Sequence, residues 1–134
     1  RMNRFHVPMT KEEDEKTVEK ILERVRKVCG FIPVTNQILS ERPDLFIPYS
    51  SLSGAIFENE TKFDKKTKHL LALAAAAAMG SEHCIRNQMR ESVALGATEE
   101  EVLEVLVIAA YMGMTRSQSY SFRAYAEQFG RKLE

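Results

Sequence analysis

Cysteine is scarce in this sequence. Cys29 and Cys84 are the only two in 134 residues, which excludes the dense disulfide framework that holds small secreted domains together and leads us to expect a cytoplasmic setting. Net charge is missing too. Nineteen Lys and Arg balance nineteen Asp and Glu, so no global field draws the molecule to nucleic acid or to an anionic membrane, and no basic stripe or aromatic stacking platform is visible. The longest weakly polar run, residues 70–79, is ten residues of mostly alanine, about half of the ~20 that a membrane crossing requires. Residues 1–10 are short and mixed, without the basic, apolar and cleavage regions of a secretory leader. Six glycines and four prolines leave few breaks, and neither a linker nor an internal repeat divides the chain. One domain over residues 1–134 is the expectation, with a core that shields roughly two-thirds of the unfolded surface.

What is present is helical spacing almost everywhere, with no convincing alternation of the kind strands require. Thr10 followed by Glu13 reads as a capping box opening a helix that ends at Gly30, with Val18, Ile21, Leu22, Val25, Val28 and Cys29 on one stripe. Pro33, Pro43 and Pro48 break the next stretch into a turn of helix over residues 36–40 and a longer helix from Pro43 toward Phe57, with Leu45, Phe46, Tyr49, Leu52, Ile56 and Phe57 as its apolar face. Asp64 is a good cap for a helix to Gly80. Its alanines, Ala72 and Ala74 through Ala78, allow a neighbour to approach closely and suit a central or interfacial position. A helix over residues 81–95, one from the Thr98 and Glu101 capping box to about Met112, and a last one over residues 117–129 complete an all-α chain of six to seven helices.

Most catalytic signatures are absent: there is no phosphate-cradling glycine loop, nucleophile elbow, two-histidine metal motif or C-x-x-C pair. One site remains. In Ser81-Glu82-His83-Cys84 the thiol falls in the first turn of a helix, where backbone amides and the dipole favour a thiolate, and a histidine adjoins it. The structural alternative is an ordinary helix start, with Ser81 capping, Glu82 at the positive end, His83 exposed and Cys84 turned inward. Ser81, Cys84 and Gln88 share one helical face at i, i+3 and i+7, and His69 lies on the preceding small-residue helix. Successive residues on a helix diverge, so Glu82, His83 and Cys84 supply no metal-ligand spacing, and no metal or other cofactor is expected.

From position 31 to about 124 the sequence resembles the carboxymuconolactone decarboxylase and alkylhydroperoxidase D-like (AhpD-like) family. The resemblance is carried by GFIP and the following NQILSERPDL, FDKKTKHLLALA, SEHCI, GATEEEVLEVL and AAYMG, in that order. It implies an all-α, AhpD-like helical fold that assembles into trimers or hexamers, with a site between helices close to a subunit interface. In the peroxidase branch a glutamate precedes, by twelve residues, a C-x-x-C with a histidine inside it, and a further histidine follows four residues later. Carried over by spacing, Cys84 takes the second cysteine position and His83 the inner histidine. Ser81 stands at the first cysteine, Gln88 at the outer histidine and His69 at the glutamate. A C-x-x-C disulfide cannot form here. The decarboxylase branch usually lacks both cysteines and keeps a histidine where this chain has Gln88.

Three readings follow from the residues and the resemblance together. The first is an AhpD-like peroxidase, an antioxidant oxidoreductase that reduces a small hydroperoxide through Cys84 alone. His83 and His69 would move protons, Ser81 and Gln88 would bind substrate or the oxidised sulfur, and an external thiol would act as reductant. The second is a decarboxylase or lyase acting on a small carboxylated lactone, with His69 as base and Arg86 or Arg90 holding carboxylates, although solvent-facing pairing of those arginines with Glu82 and Glu91 is the plainer expectation. The third is an inactive oligomeric binding module, for which a fully enclosed Cys84 would be the sign. Tyr111, Met112, Met114, Tyr120 and Phe122 read as subunit or core packing.

Overall fold

The computed structural model describes residues 10–134, so the reading of the first nine positions lies outside the described residues. Within them the chain is all-α, with six helices and no strand. It divides into two compact units, one ending at Glu58 and the other spanning Asn59–Glu134.

In the first unit α1 (Lys11–Cys29) opens with the expected capping box: the Glu13 amide donates to Thr10 Oγ1 at 3.2 Å and the Thr10 amide to Glu13 Oε2 at 2.8 Å. Two otherwise orphaned donors are thereby satisfied. The helix stops at Gly30, whose φ of 78° lies in the left-handed region that a side chain disfavours. α2 (Val34–Leu39) is a short piece, and α3 (Pro43–Phe57) begins with a proline, where the missing amide costs nothing. Arg42 clamps the Asp44 carboxylate through Nε at 2.9 Å and Nη2 at 2.6 Å, fixing an acid at the positive end of α3. α3 runs on through Pro48.

Val18 of α1 and Phe46 of α3 are the buried residues of these elements, and α1 packs on α3. The apolar faces expected from spacing are only partly covered. Ile21, Leu22, Val25 and Cys29 are half-buried, whereas Leu45, Tyr49, Leu52 and Ile56 remain exposed and only Phe46 of that set is enclosed.

The second unit is built on α4 (Lys65–Met79), α5 (Glu82–Ala94) and α6 (Glu99–Gln128), with α4 packed against both others. Asp64 caps α4 by accepting the Thr67 amide at 2.7 Å. The alanine-rich face does what its small side chains permit: Leu73 and Ala76 are buried, and Leu73 forms a core cluster with Ala97 and Val102, against which Leu70, Ile85, Met89, Val105 and Leu106 pack. α4 is thus the central helix of its unit. Ser92 is fully buried, with its hydroxyl donating to the Met89 carbonyl at 2.9 Å.

Two helices expected over residues 98–112 and 117–129 are one, α6, of 30 residues. The Gly113-Met114-Thr115-Arg116 stretch contains no proline. A single glycine costs about 1 kcal/mol relative to alanine, too little to end a helix whose hydrogen-bonded ladder continues on both sides. Thr115 and Ser121 donate their hydroxyls back to Met112 and Ser117 carbonyls, at 3.0 and 2.8 Å, and so stay within the helix instead of competing with it. Among the described residues no helix is long and apolar enough to cross a membrane.

Candidate functional site

α4 and α5 are joined only by Gly80 and Ser81 and pack on each other. Gly80, at φ 73°, reverses the chain, and its amide and that of Ser81 return to carbonyls in the last turn of α4. The short turn makes the two helices neighbours and places His69, on α4, opposite Gln88, on α5. His69 Nδ1 lies 2.7 Å from Gln88 Oε1, with both side chains half-buried. Sequence spacing named both residues without showing that they bond directly to each other. Only the pairing of α4 with α5 brings together positions nineteen residues apart.

Ser81 occupies the cap position of α5, as the plainer reading of this helix start required, but it makes no side-chain cap hydrogen bond. The reason is in the backbone. Thr10, Asp64 and Thr98, which do cap their helices, have ψ of 157°, 168° and 162°, whereas Ser81 has ψ 91°. That rotation turns the hydroxyl away from the amides two and three residues ahead. The half-buried Ser81 hydroxyl is therefore not used as a cap.

Cys84, in the first turn of α5, is exposed and is not in a disulfide. This corrects the inward-facing alternative and runs against the enclosed thiol that an inactive module was expected to have. Cys84 and Gln88 lie at i and i+4 on one face, whereas His83 is turned about 100° from its neighbour by the helical repeat and is exposed. His83 and Cys84 are adjacent in sequence but point in different directions.

The arginines on α5 are committed elsewhere. Arg86 pairs with Glu82 at 3.1 Å in solvent, and Arg90 bonds Asn87 Oδ1 at 2.7 Å and lies 3.7 Å from Glu91. Arg86 and Arg90 thus adopt the paired arrangement and not that of a carboxylate clamp. Tyr111, Met112, Met114, Tyr120 and Phe122 are all exposed on α6 and stand outside the core formed by the described residues. Among the described residues no group of three His, Cys, Asp or Glu side chains is placed to hold a metal ion. Two open clefts, of about 540 Å³ along Lys11, Asp14, Glu15, Ser40, Glu41, Pro43 and Asp44 and about 300 Å³ along Gln118, Ser119, Phe122, Arg123 and Leu133, are lined by other residues.

The sequence profile of the carboxymuconolactone decarboxylase family matches residues 43–127. An apo carboxymuconolactone decarboxylase family protein from Legionella pneumophila is 34% identical, with 84% of this chain and 88% of that one covered and a TM-score of 0.52. The AhpD core from Rhodospirillum rubrum covers 99% of this chain and 95% of its own at a TM-score of 0.61. At 19% identity that likeness shows a shared helical fold. An uncharacterized protein of Methanocaldococcus jannaschii is 28% identical over 88 residues, which span 64% of this chain and 80% of the relative.

Proposed function

The chain belongs to the carboxymuconolactone decarboxylase family, and on that premise we propose that it is a thiol-dependent oxidoreductase of the AhpD-like kind that reduces small hydroperoxides through Cys84. The observation that carries this reading is an exposed thiol in the first turn of α5, one turn before a glutamine that engages the imidazole of His69. A thiolate is the reactive form of cysteine, and a helix N-terminus stabilises it.

The reaction is written on one sulfur. Cys84 gives its proton to a neutral imidazole, that of His69 or His83, and its Sγ attacks the outer oxygen of the hydroperoxide. The O–O bond breaks, the alkoxide leaves and takes a proton from the imidazolium of His69 or His83, and an alcohol and a Cys84 sulfenic acid result. Ser81 and Gln88 supply hydrogen bonds on the same face. An external thiol then attacks the sulfenic sulfur and releases water, and a second thiol displaces the reductant as a disulfide and restores Cys84. Cys29 is not used. The chain works as one family domain within a homo-oligomer; the large apolar side chains that α6 leaves exposed support assembly.

The test is chemical. Peroxide treatment followed by a sulfenic-acid reagent should label wild-type protein and fail to label Cys84→Ser, with the Cys29→Ser variant still labelled. Absence of labelling across alkyl and hydrogen peroxides overturns the reading. Turnover of a carboxylated lactone that survives Cys84→Ser and disappears in His69→Ala would replace it with lyase chemistry.

A further inference from the structure

One exposed face of α6 carries an ordered pattern. At 100° per residue, Val107, Tyr111, Met114, Gln118, Phe122, Tyr125 and, at the C-cap, Phe129 fall in one stripe about 80° wide. The buried Val102 and Ala109 lie on the opposite side, and so do Arg116, Arg123 and Glu127, the charged residues between positions 105 and 128. The six apolar members of the stripe are 47–65% exposed. A helix that is apolar on two sides needs a neighbour on each. Positions 107, 118 and 129 are eleven residues apart, a repeat of about 3.67 per turn that keeps the stripe nearly parallel to the helix axis. The order of side chains is also symmetric about Gln118: Met114 and Phe122 stand four residues from it, Tyr111 and Tyr125 seven, Val107 and Phe129 eleven.

We infer that α6 pairs antiparallel with α6 of a second copy about a two-fold axis beside Gln118. Across such an axis every contact occurs twice, so a surface meets its own copy well only when it is self-complementary, as a stripe symmetric about one residue is. Met114 then meets Phe122, Tyr111 meets Tyr125, Val107 meets Phe129 and Gln118 meets Gln118, each pair drawn from opposite copies. Sulfur packs favourably on an aromatic ring, and tyrosine buries a large flat surface while its hydroxyl stays at the edge. The Gln118 amide both donates and accepts, so two copies can bond each other, and a polar pair on the axis fixes the register. Tyr125 and Phe129 are already in ring contact, with centroids 4.8 Å apart, and the exposed Arg131 guanidinium, 6.0 Å from the Tyr125 ring, can keep its charge in solvent. The stripe is about 33 Å long. At about 100 Å² for each large half-exposed side chain it offers about 600 Å² per copy, and the pair buries about 1,200 Å², above the roughly 1,000 Å² that a specific interface needs. The inference rests on the homo-oligomer proposed above and names the surface that builds it, whereas it owes nothing to the chemistry of Cys84.

The experiment reads both mass and register. Light scattering at micromolar concentration should give an even number of copies for the wild type, because a two-fold axis pairs them. Tyr125→Glu, which sets a carboxylate against Tyr111 of the second copy, should halve that mass without loss of helical circular dichroism, and Arg116→Ala, on the opposite side of α6, should leave it unchanged. In a Cys29→Ser, Cys84→Ser background, Gln118→Cys should be linked to its own copy by a short bis-maleimide. Tyr111→Cys and Tyr125→Cys together should be linked between copies, whereas either alone should not, since like positions then stand about 21 Å apart along the axis. A monomer, free or bound to lipid vesicles, overturns both this inference and the homo-oligomer. An odd-numbered assembly, or one that keeps its mass in Tyr125→Glu and leaves Gln118→Cys unlinked, overturns this interface alone. If Tyr125→Glu does not fold, the linking patterns decide it.

Discussion

The ammonium of Lys66, on α4, lies 3.1 Å from Oε1 of Glu101, on α6, while the other oxygen of the same carboxylate accepts the Thr98 amide at 2.9 Å. One carboxylate thus closes a capping box and ties two helices of the second unit together. The Thr98 backbone amide, first, and the Lys66 ammonium, second, hold the Glu101 carboxyl below its ordinary range. Asp64 is lowered in the same direction by the Thr67 amide. A carboxyl depressed in the folded state contributes stability that is present above its unfolded pKa and is lost as pH falls through its folded one.

Acid unfolding should therefore depend on Glu101. Denaturant midpoints of wild type and Glu101→Gln, followed from about pH 7 to about pH 3, should converge as the solution becomes acidic, since protonation removes in wild type what the variant already lacks. A gap that stays constant across that range contradicts the assignment.

Caps that look alike in sequence should differ in strength. Thr98→Ala removes a side chain that accepts the Glu101 amide at 3.1 Å and should cost about 1 kcal/mol. Ser81 makes no such bond, so Ser81→Ala should cost only a few tenths of that, at about 0.3 kcal/mol. Urea titrations of the two variants check the difference. Equal losses would mean that Ser81 caps α5 after all.

The interior of the second unit makes a sharper prediction. Leu73 is completely enclosed at the meeting of Ala97 and Val102, whereas Leu71 on the same helix is half exposed. Leu73→Ala should destabilise by about 2–5 kcal/mol through lost burial and a residual cavity, and Leu71→Ala by about 0.5 kcal/mol. Calorimetry on both variants tests it, and comparable drops in Tm would refute the packing.

Local chemistry was legible where it depends on neighbours in sequence. Both capping boxes, the Asp64 cap and the glycines after α1 and α4 stand where spacing placed them. Continuity through Gly113 was not, because a lone glycine between two methionines is a weak signal and neighbouring helical turns decide the outcome. The same division runs through the candidate site. The shared face of Ser81, Cys84 and Gln88 follows from the 3.6-residue period, but the ψ that swings the Ser81 hydroxyl off the amides and the exposure of Cys84 do not. The contact of His69 with Gln88 depends on how two helices lie side by side, and no single-chain periodicity encodes that.

The long helix α6 is anchored unevenly. Val102 and Ala109 bury its first half, whereas from residue 110 to its end Ala126 is its only buried residue. Most helical stability in proteins comes from packing an apolar face, and within the chain this half has little of it. Amide protons in that half should exchange rapidly in dilute solution and slow as protein concentration rises, while those of α4 stay protected throughout. The tail of this chain would then report, proton by proton, how many of its copies are standing together.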